Sequence, residues 1–401
     1  MPRFECTKCG KEFPFDSALT RCTSCGEPLE VKYEFASPEI HKSEFLLEKY
    51  RDFLPFSRPN KALSLGEGFT PLLRLKKLGE MLGLHNLYAK NETMNPTWSF
   101  KDRGTICGIQ YALDSGYSEV GTVSTGNMGA SVAAYGSRAG MRTHILVSSS
   151  IELEKVIPIS VYGAHVVKVE GDYGKLYYES LRVGEELGIC FINSDHPLRI
   201  EGSKTIAFEI CEQMSFEPPD WVIVPTSSGG NFRGIVKGFI EFRDLGLIDR
   251  LPRFIVVQAA GCCPIAQAFR EGKEEIRHFG RPKTIAHGIS NPYPPSGNEV
   301  LRILRRLHGI ALTVNDEEII KAQLLLAREG IFAQPAGAVP IAALDELVSK
   351  GIIDRNDTVV CVITGAGLKY LHSVRQVSHE ITTIPFEQLS SALSNARPSG
   401  S

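Results

Sequence analysis

A single lysine, Lys101, lies in the stretch NPTWSFKDRG, between Phe100 and Asp102 and just after an Asn-Pro turn. A lysine amine acts as a nucleophile or a base only when it is partly neutral, which requires desolvation or a nearby positive charge. Phe100 can exclude water, and Arg103 is close in sequence. The stretch therefore leaves two interpretations open, an ordinary surface lysine and a reactive one.

Four cysteines near the N-terminus form two C-x2-C pairs, each followed by a glycine: Cys6 and Cys9, then Cys22 and Cys25. Four thiolates match the tetrahedral coordination of zinc, and residues 1–34 form too small a unit to fold on an apolar core alone. We expect a structural zinc ribbon, with a ribbon that lacks metal as the alternative. No basic stripe suggests nucleic-acid binding. The other cysteines are scattered, which is typical of small buried hydrophobic residues.

Composition limits the class of protein. The chain has 401 residues, which exceeds one hydrophobic core and predicts two or more domains. Hydrophobic residues make up 43% and charged residues 22%, as in globular proteins. A net charge of -2 provides no global attraction for nucleic acid or an anionic membrane. No signal peptide or membrane-spanning run is present, so we expect a cytoplasmic protein.

From about residue 61 to 380, short apolar runs such as EVGTVST, THILVSS, WVIVPTSS and RFIVVQAAG alternate with stretches of helical period. This alternation predicts an α/β fold with parallel sheets covered on both faces. Residues 35–65 are more polar and predict a connecting arm with a short helix. Residues 386–401 end in small polar side chains and predict a flexible tail.

Two strand-to-helix junctions combine glycine with hydroxyl or amide side chains: STGNMGAS at Ser124–Ser131 and TSSGGNFRG at Thr226–Gly234. Free amides at a helix start favour an anion, although each loop alone could be a plain helix cap. Neither is a GxGxxG or GxxxxGK[ST] motif, so nucleotide binding is not supported. At a third junction, VITGAGLKY, Thr364 can offer a neutral hydrogen bond. Together with Lys101, these loops predict a phosphorylated ligand.

These motifs, with GEGFTPLLR, INSDHPLRIEGSKTIAFEI and EGIFAQPAGA in the same order, resemble the fold-type II pyridoxal-phosphate enzymes and, within them, the threonine synthase family. The resemblance implies two doubly wound parallel-sheet domains of the tryptophan synthase β-subunit type beside the ribbon. The catalytic region would cover residues 66–385, with a smaller domain at about 98–200 inserted in the larger one. A homodimer is also implied.

The resemblance implies roles for individual residues. Lys101 would bind pyridoxal phosphate covalently and act as the catalytic acid and base, Asn127 would contact the ring oxygen of the cofactor, and Thr364 its ring nitrogen. The cofactor phosphate would lie on a loop formed by Ser227, Ser228, Gly229, Gly230 and Asn231. The amino-acid substrate, which we expect to be phosphorylated, would meet Ser124, Asn193, Ser194 and Arg199.

Several positions differ from the residues that are common in the motifs of this family, namely Trp98, Met128, Ser228, Gln334 and Ala366. Trp98 is expected to fill space near the active site, and three of the changes remove polar groups near a substrate phosphate. The expected function is conversion of O-phosphohomoserine and water to threonine and phosphate. Alternatives are a cysteate synthase-like replacement on O-phosphoserine, a serine or threonine deaminase, and a non-catalytic zinc-ribbon binding protein.

Overall fold

The computed structural model describes residues 1–15, 19–124, 126–149, 151, 153–171, 173–374 and 383–395. The strands are β1 Arg3–Cys6, β2 Glu12–Pro14, β3 Leu29–Lys32, β4 Leu72–Arg74, β5 Asn86–Asn91, β6 Glu119–Val123, β7 Arg142–Ser148, β8 His165–Val169, β9 Ile189–Phe191, β10 Trp221–Pro225, β11 Arg253–Ala259, β12 Ile310–Val314 and β13 Thr358–Ile363. Among the residues described, no helix is both long and apolar enough to cross a bilayer.

The helices are α1 Leu46–Lys49, α2 Lys76–Leu82, α3 Lys101–Asp114, α4 Asn127–Arg138, α5 Leu153–Ser160, α6 Tyr173–Leu187, α7 Pro197–Gln213, α8 Gly230–Asp244, α9 Pro264–Arg270, α10 Gly297–Arg306, α11 Asp316–Arg328, α12 Pro335–Ala342, α13 Leu344–Ser349 and α14 Leu389–Asn395. The predicted flexible tail thus contains a short helix in its described part, and its residues 396–401 lie outside the described residues.

The N-terminal sheet is antiparallel, in the order β2-β1-β3. Phe4, Phe13 and Val31 are buried, and the Phe4 ring lies 6.3 Å from the ring of Tyr111 in α3. Because such an apolar face gains stability only when covered, it attaches the ribbon to the main body. The ribbon therefore packs against the main body and is not a separate domain on a linker.

The connecting arm is also fixed to the main body. The predicted short helix is confirmed as α1. Tyr50 and Phe53 follow it and are fully buried. Their rings lie 5.2 and 5.3 Å from the ring of Phe208 in α7. Aromatic side chains of this size dominate the packing of the arm, which is therefore part of the core.

The larger sheet has the order β12-β11-β10-β13-β5-β4, and its strands are parallel except for the edge strand β4, which pairs antiparallel with β5. The smaller sheet has the order β8-β7-β6-β9 and is parallel throughout. Val222 and Val360 in the larger sheet are fully buried, as expected for strands covered on both faces. The predicted α/β class is confirmed, with one antiparallel edge strand added.

Helices α3 and α7 cross with their backbones in contact. A Cβ atom on Gly202 would lie 1.9 Å from the carbonyl oxygen of Arg103. A Cβ atom on Gly104 would lie 3.0 Å from the carbonyl oxygen of Arg199. Only glycine permits such an approach. The crossing brings the start of α3, with Lys101, next to the start of α7.

Helix α7 is buried on almost all sides, so its charged side chains need partners inside the protein. Glu209 accepts from Arg103 at 2.7 Å and from Lys90 at 2.6 Å. Arg103 also contacts Glu92 at 2.7 Å. Removing one member of such a network leaves another charge buried without compensation, which is strongly destabilising.

Candidate active site

A cavity of about 840 Å³ opens at the carboxyl ends of strands from the larger and the smaller sheet. Its wall includes Ser124, which follows β6, and Thr226 and Thr364, which follow β10 and β13. In open α/β sheets, ligands bind outside the carboxyl ends of the strands. The cavity therefore lies where the fold predicts a binding site.

Lys101 is the first residue of α3, and its side chain lines the cavity. Its Nζ lies 4.4 Å from the centroid of the Phe100 ring. Burial, and then the nearby Arg199 guanidinium, lower the pKa of Lys101 from 10.5 to about 7. An amine with this pKa is partly neutral near pH 7, as nucleophilic and acid–base chemistry require.

Arg103 does not supply the positive charge beside Lys101, so that expectation is wrong. Its guanidinium is fully buried between Glu92 and Glu209, which neutralise it. Residues two apart on a helix point in different directions, so closeness in sequence did not bring the two side chains together. The charge that acts on Lys101 comes from Arg199 on α7.

Arg199 is buried and lines the cavity. It donates to the hydroxyl of Thr105 at 2.9 Å and to the backbone carbonyl oxygen of Lys101 at 3.3 Å. Among the described residues, no carboxylate lies within salt-bridge distance of it. Burial lowers its pKa to about 10, an effect that Asp102 partly opposes. A buried guanidinium that faces a cavity without a carboxylate partner suits an anionic ligand.

The stretch from Ser227 to Asn231, called the cofactor loop below, begins in the loop after β10 and ends in the first turn of α8, and all of its residues line the cavity. Gly229 has a φ of +94°, and a Cβ atom there would lie 2.8 Å from a methyl group of Val300. Both side-chain amide atoms of Asn231 are buried and have no hydrogen-bond partner among the described residues. Helix starts favour anions, and the loop therefore fits the phosphate of a cofactor.

Asn127 begins α4 and lines the cavity, as does Thr364. The Asn127 side chain donates to Gln334 Oε1 at 2.8 Å and accepts from Lys369 Nζ at 3.1 Å. Lys369 also donates to the carbonyl oxygen of Thr97 at 2.6 Å. An ammonium can only donate, so these contacts fix which way the Asn127 amide faces.

Sequence reasoning assigned no role to Gln334 or Lys369. Gln334 lines the cavity, and burial lowers the pKa of Lys369 to about 8, although Asp102 raises it. Both residues lie in stretches that carried the resemblance, EGIFAQPAGA and VITGAGLK. The available signal was a polar side chain in such a stretch, next to the start of α12 for Gln334 and shortly after β13 for Lys369.

The predicted substrate residues do not all reach the cavity. Ser124 and Ser194 line it. Asn193 lies behind the wall, where its Nδ2 donates to Ser180 Oγ at 3.0 Å and its Oδ1 accepts from the Val123 amide at 2.9 Å. We therefore correct its expected role, because the Asn193 side chain connects β6 to α6 behind the wall and does not line the cavity.

The positions that differ from the family motifs fall into two groups. Met128, Ser228 and Gln334 line the cavity. Trp98 and Ala366 do not; they are backbone neighbours, with the Ala366 amide donating to the Trp98 carbonyl at 2.9 Å. Trp98 has a φ of +62° and a side chain that is 49% exposed. The expectation that Trp98 fills the active site is therefore corrected, because its backbone turns the ring outward.

The four N-terminal cysteines converge on one point. Their sulfur atoms all lie within 4.8 Å of one another, with 3.4 Å between Cys6 and Cys25 and 3.7 Å between Cys9 and Cys22. Tetrahedral zinc with thiolate ligands requires sulfur atoms about 3.8 Å apart. The Ser24 amide points at Cys22 Sγ at 3.4 Å, as the C-x2-C-Gly turn predicts. The cluster fits a zinc ion.

The chain resembles known proteins over most of its length. Residues 63–365 match the family model described as pyridoxal-phosphate dependent enzyme. The threonine synthase of Methanocaldococcus jannaschii is 41% identical over 94% of this chain and 95% of its own length. The threonine synthase of Methanosarcina acetivorans is 38% identical over 96% of each chain.

Solved structures share the fold. Maize serine racemase aligns with a TM-score of 0.64 and 24% identity, covering 81% of this chain and 92% of that one. The processed form of threonine deaminase isoform 2 from Solanum lycopersicum aligns with a TM-score of 0.63 and 22% identity, covering 91% and 92%. From the family model and the close relatives together, the chain belongs to the pyridoxal-phosphate-dependent enzymes and, within them, to the threonine synthase family.

Proposed function

We propose that the protein is a threonine synthase that converts O-phosphohomoserine and water to threonine and phosphate. The relatives described above as threonine synthases support this reaction, because they match nearly the whole chain. The single observation that carries the substrate choice is Arg199, a buried guanidinium that faces the cavity and hydrogen-bonds the Lys101 backbone. A phosphate group on the substrate would neutralise it.

Pyridoxal phosphate fits the cavity residues. Lys101 would hold it covalently, the loop from Ser227 to Asn231 would bind its phosphate, and Asn127 and Thr364 would contact its ring. The unpaired, buried amide of Asn231 supports this placement. When bound, the cofactor supplies an electron sink that stabilises negative charge on carbon atoms near the substrate amino group. A neutral hydroxyl at Thr364 would leave the ring nitrogen largely unprotonated.

The chain supplies proton transfer and binding. With a pKa of about 7, the amine of Lys101 can remove protons from Cα and Cβ of the substrate and deliver protons to Cγ, after phosphate leaves, and to Cα. Arg199, with Ser194 nearby on the wall, would hold the phosphate that leaves from Cγ. Ser124, at the end of β6, is placed to contact the substrate carboxylate. Phe100 excludes water from the side of Lys101 that it covers.

Met128 is the observation that favours testing a second reaction beside the first. This apolar side chain lines the cavity, and apolar walls favour smaller, uncharged groups. Met128 therefore favours a serine or threonine deaminase as the second candidate, and a cysteate synthase-like replacement on O-phosphoserine is tested beside it. Lys101 and its lowered pKa are needed for all of these reactions and argue against a non-catalytic binding protein.

The experiment is steady-state turnover of the holoenzyme on O-phosphohomoserine, O-phosphoserine with sulfite, threonine and serine. We expect phosphate and threonine in equal amounts from O-phosphohomoserine, with the highest kcat/KM of the panel. Cysteate from O-phosphoserine, or a 2-oxo acid and ammonia from serine or threonine, at a higher kcat/KM would replace the proposed reaction with one of the alternatives.

The remaining expectations extend this proposal. We propose that the cysteine cluster holds one structural zinc ion, and that the enzyme is a cytoplasmic homodimer that binds neither nucleic acid nor membranes. The domain limits proposed are 1–34 for the ribbon, 35–65 for the arm, 66–385 for the catalytic region and 386–401 for the tail. Light scattering on the purified protein tests the dimer.

A further inference from the structure

Arg21 carries a contact from the zinc ribbon into the cavity wall. It directly precedes Cys22 of the cysteine cluster. Its Nη1 lies 2.7 Å from Asp195 Oδ2, and both terminal nitrogens lie 3.2 Å from the carbonyl oxygen of Pro295. The side chain of Asp195 is fully buried and that of Arg21 is 16% exposed. This is a directional, largely buried ion pair, which is the strong type of charge-assisted contact.

Asp195 lies between two parts of the site. The preceding residue, Ser194, lines the cavity. The following residue, His196, caps α7 by accepting from the Leu198 amide, and Arg199 lies in the first turn of that helix. The position of Asp195 therefore sets the positions of a serine and an arginine that face the cavity.

The Arg21 guanidinium also contacts residues from other elements that line the cavity. The other carboxylate oxygen of Asp195 accepts from the hydroxyl of Tyr177 on α6, and the Arg21 guanidinium lies 5.7 Å from the ring centroid of Tyr178. Pro295 lies in the loop before α10. Tyr177, Tyr178 and Pro295 all line the cavity. Arg21 thus bridges helix α6, the start of α7 and the loop before α10.

We propose that Arg21 is a positioning residue for the substrate site. Through Asp195 it holds Ser194 and the first turn of α7, and through Pro295 it holds the loop before α10, which also lines the cavity. The ribbon thereby completes the substrate site. The same segments also reach the cofactor loop, since the Ser296 amide donates to the Ser228 carbonyl oxygen at 3.0 Å, so the cofactor content of each variant is measured as well. The effect on turnover rests on the proposed function, but the effect on the order of the wall does not.

Arg302 provides a matched control. It forms a second arginine–carboxylate contact between ribbon and body, with its Nη2 2.7 Å from Glu27 Oε2. Asn298 also donates to Glu27 at 3.0 Å. Arg302 does not line the cavity, and within the described part of the chain it has no contact with Asp195. Arg302→Gln therefore weakens ribbon docking without disturbing the substrate wall.

The test compares Arg21→Gln, Asp195→Asn, their double variant and Arg302→Gln as holoenzymes with verified metal and cofactor content. We expect Arg21→Gln to lower kcat/KM for O-phosphohomoserine about tenfold or more, chiefly by raising KM, because a charge-assisted contact is lost. Arg302→Gln should change it less than about threefold. The double variant should be no worse than the more affected single variant, as for two residues acting through one contact.

Hydrogen exchange provides a readout that needs no substrate. The peptide covering residues 194–200 should exchange faster in Arg21→Gln than in the parent enzyme, and Arg302→Gln should leave it unchanged. Equal acceleration in both variants, or none in Arg21→Gln, would overturn the proposal and leave Arg21 as a docking contact. If the parent enzyme does not turn over O-phosphohomoserine, the proposed function fails, and the exchange comparison alone decides the role of Arg21.

Discussion

The guanidinium of Arg199 donates a hydrogen bond to the backbone carbonyl oxygen of Lys101, with 3.3 Å between Nη2 and the oxygen. This contact joins the starts of α7 and α3 and places a positive charge beside the amine that is expected to carry the chemistry. One residue therefore has two effects, since it lowers the pKa of Lys101 and offers an anion site in the same cavity.

Arg199→Met should raise the pKa of Lys101 in the cofactor-free protein, because the variant removes a positive charge that disfavours the ammonium form. The pKa should stay below 10.5, since burial is the larger cause of the shift. The check is the pH dependence of Lys101 acylation by an amine reagent, followed by peptide mass spectrometry. A midpoint in the variant equal to that of the parent would show that burial alone sets the pKa.

Arg199→Ala should lower kcat/KM for O-phosphohomoserine by about one to two decades, because a charge-assisted contact to phosphate is worth about 1.5–3 kcal/mol. Arg199→Lys should recover only part of the loss, since lysine lacks the planar fork. Slow turnover of serine should be much less affected. If serine and O-phosphohomoserine fall equally, Arg199 binds the carboxylate that both share or supports the fold.

The pKa of Lys101 also makes a prediction about stability. The folded amine has a pKa of about 7 and the unfolded one about 10.5, so between these values the unfolded state binds more protons. The unfolding free energy of the cofactor-free protein should therefore rise with pH across this window. Lys101→Met should reduce that slope in urea unfolding measured from about pH 7 to pH 9.5. A variant with the parent slope contradicts the assignment.

Lys369→Met should weaken binding of pyridoxal phosphate about tenfold, because the Asn127 amide would lose the donor that sets its orientation. The measurement is titration of the cofactor-free protein with pyridoxal phosphate, followed by absorbance. Lys350→Met, at an exposed position that pairs with Glu346, is the control and should leave affinity unchanged. Equal affinities in the two variants would mean that Asn127 needs no support from Lys369.

The purified protein should contain about one zinc ion per chain when prepared without a chelator. Cys22→Ser should lose the metal and lower the melting temperature, because coordination supplies much of the folding energy of so small a unit. Cys190→Ala, at a buried cysteine outside the cluster, should keep the metal. Metal analysis measures this directly, and a parent protein without metal would refute the zinc assignment.

The parts of the site that could be predicted from sequence are those carried by short continuous stretches. Lys101, the loop from Ser227 to Asn231 and the four cysteines all belong to local motifs, and the structure brings each set to a cavity or to one point. Backbone geometry and glycine placement are local properties, so they leave a clear mark in the sequence.

The parts that could not be predicted depend on which side chains meet after packing. Arg199 rather than Arg103 acts on Lys101 because α7 crosses α3 there. Lys369 contacts Asn127 across 242 positions of the chain, and the Asn193 side chain connects β6 to α6 instead of lining the cavity. No spacing in the sequence records such contacts, since they follow from the relative placement of separate elements.

The bare-backbone crossing of α3 and α7 has a consequence for how this enzyme can evolve. Because Gly202 leaves no space for even a methyl group, and a methyl group at Gly104 would require a shift of a few tenths of an ångström, the separation between the starts of the two helices is set by main-chain atoms. Substitutions of cavity side chains such as Met128 can alter substrate preference. The distance between the starts of the helices that carry Lys101 and Arg199 cannot change in small steps. Adaptation to new substrates is therefore expected through the side chains that line the cavity, with the crossing of α3 and α7 kept as it is.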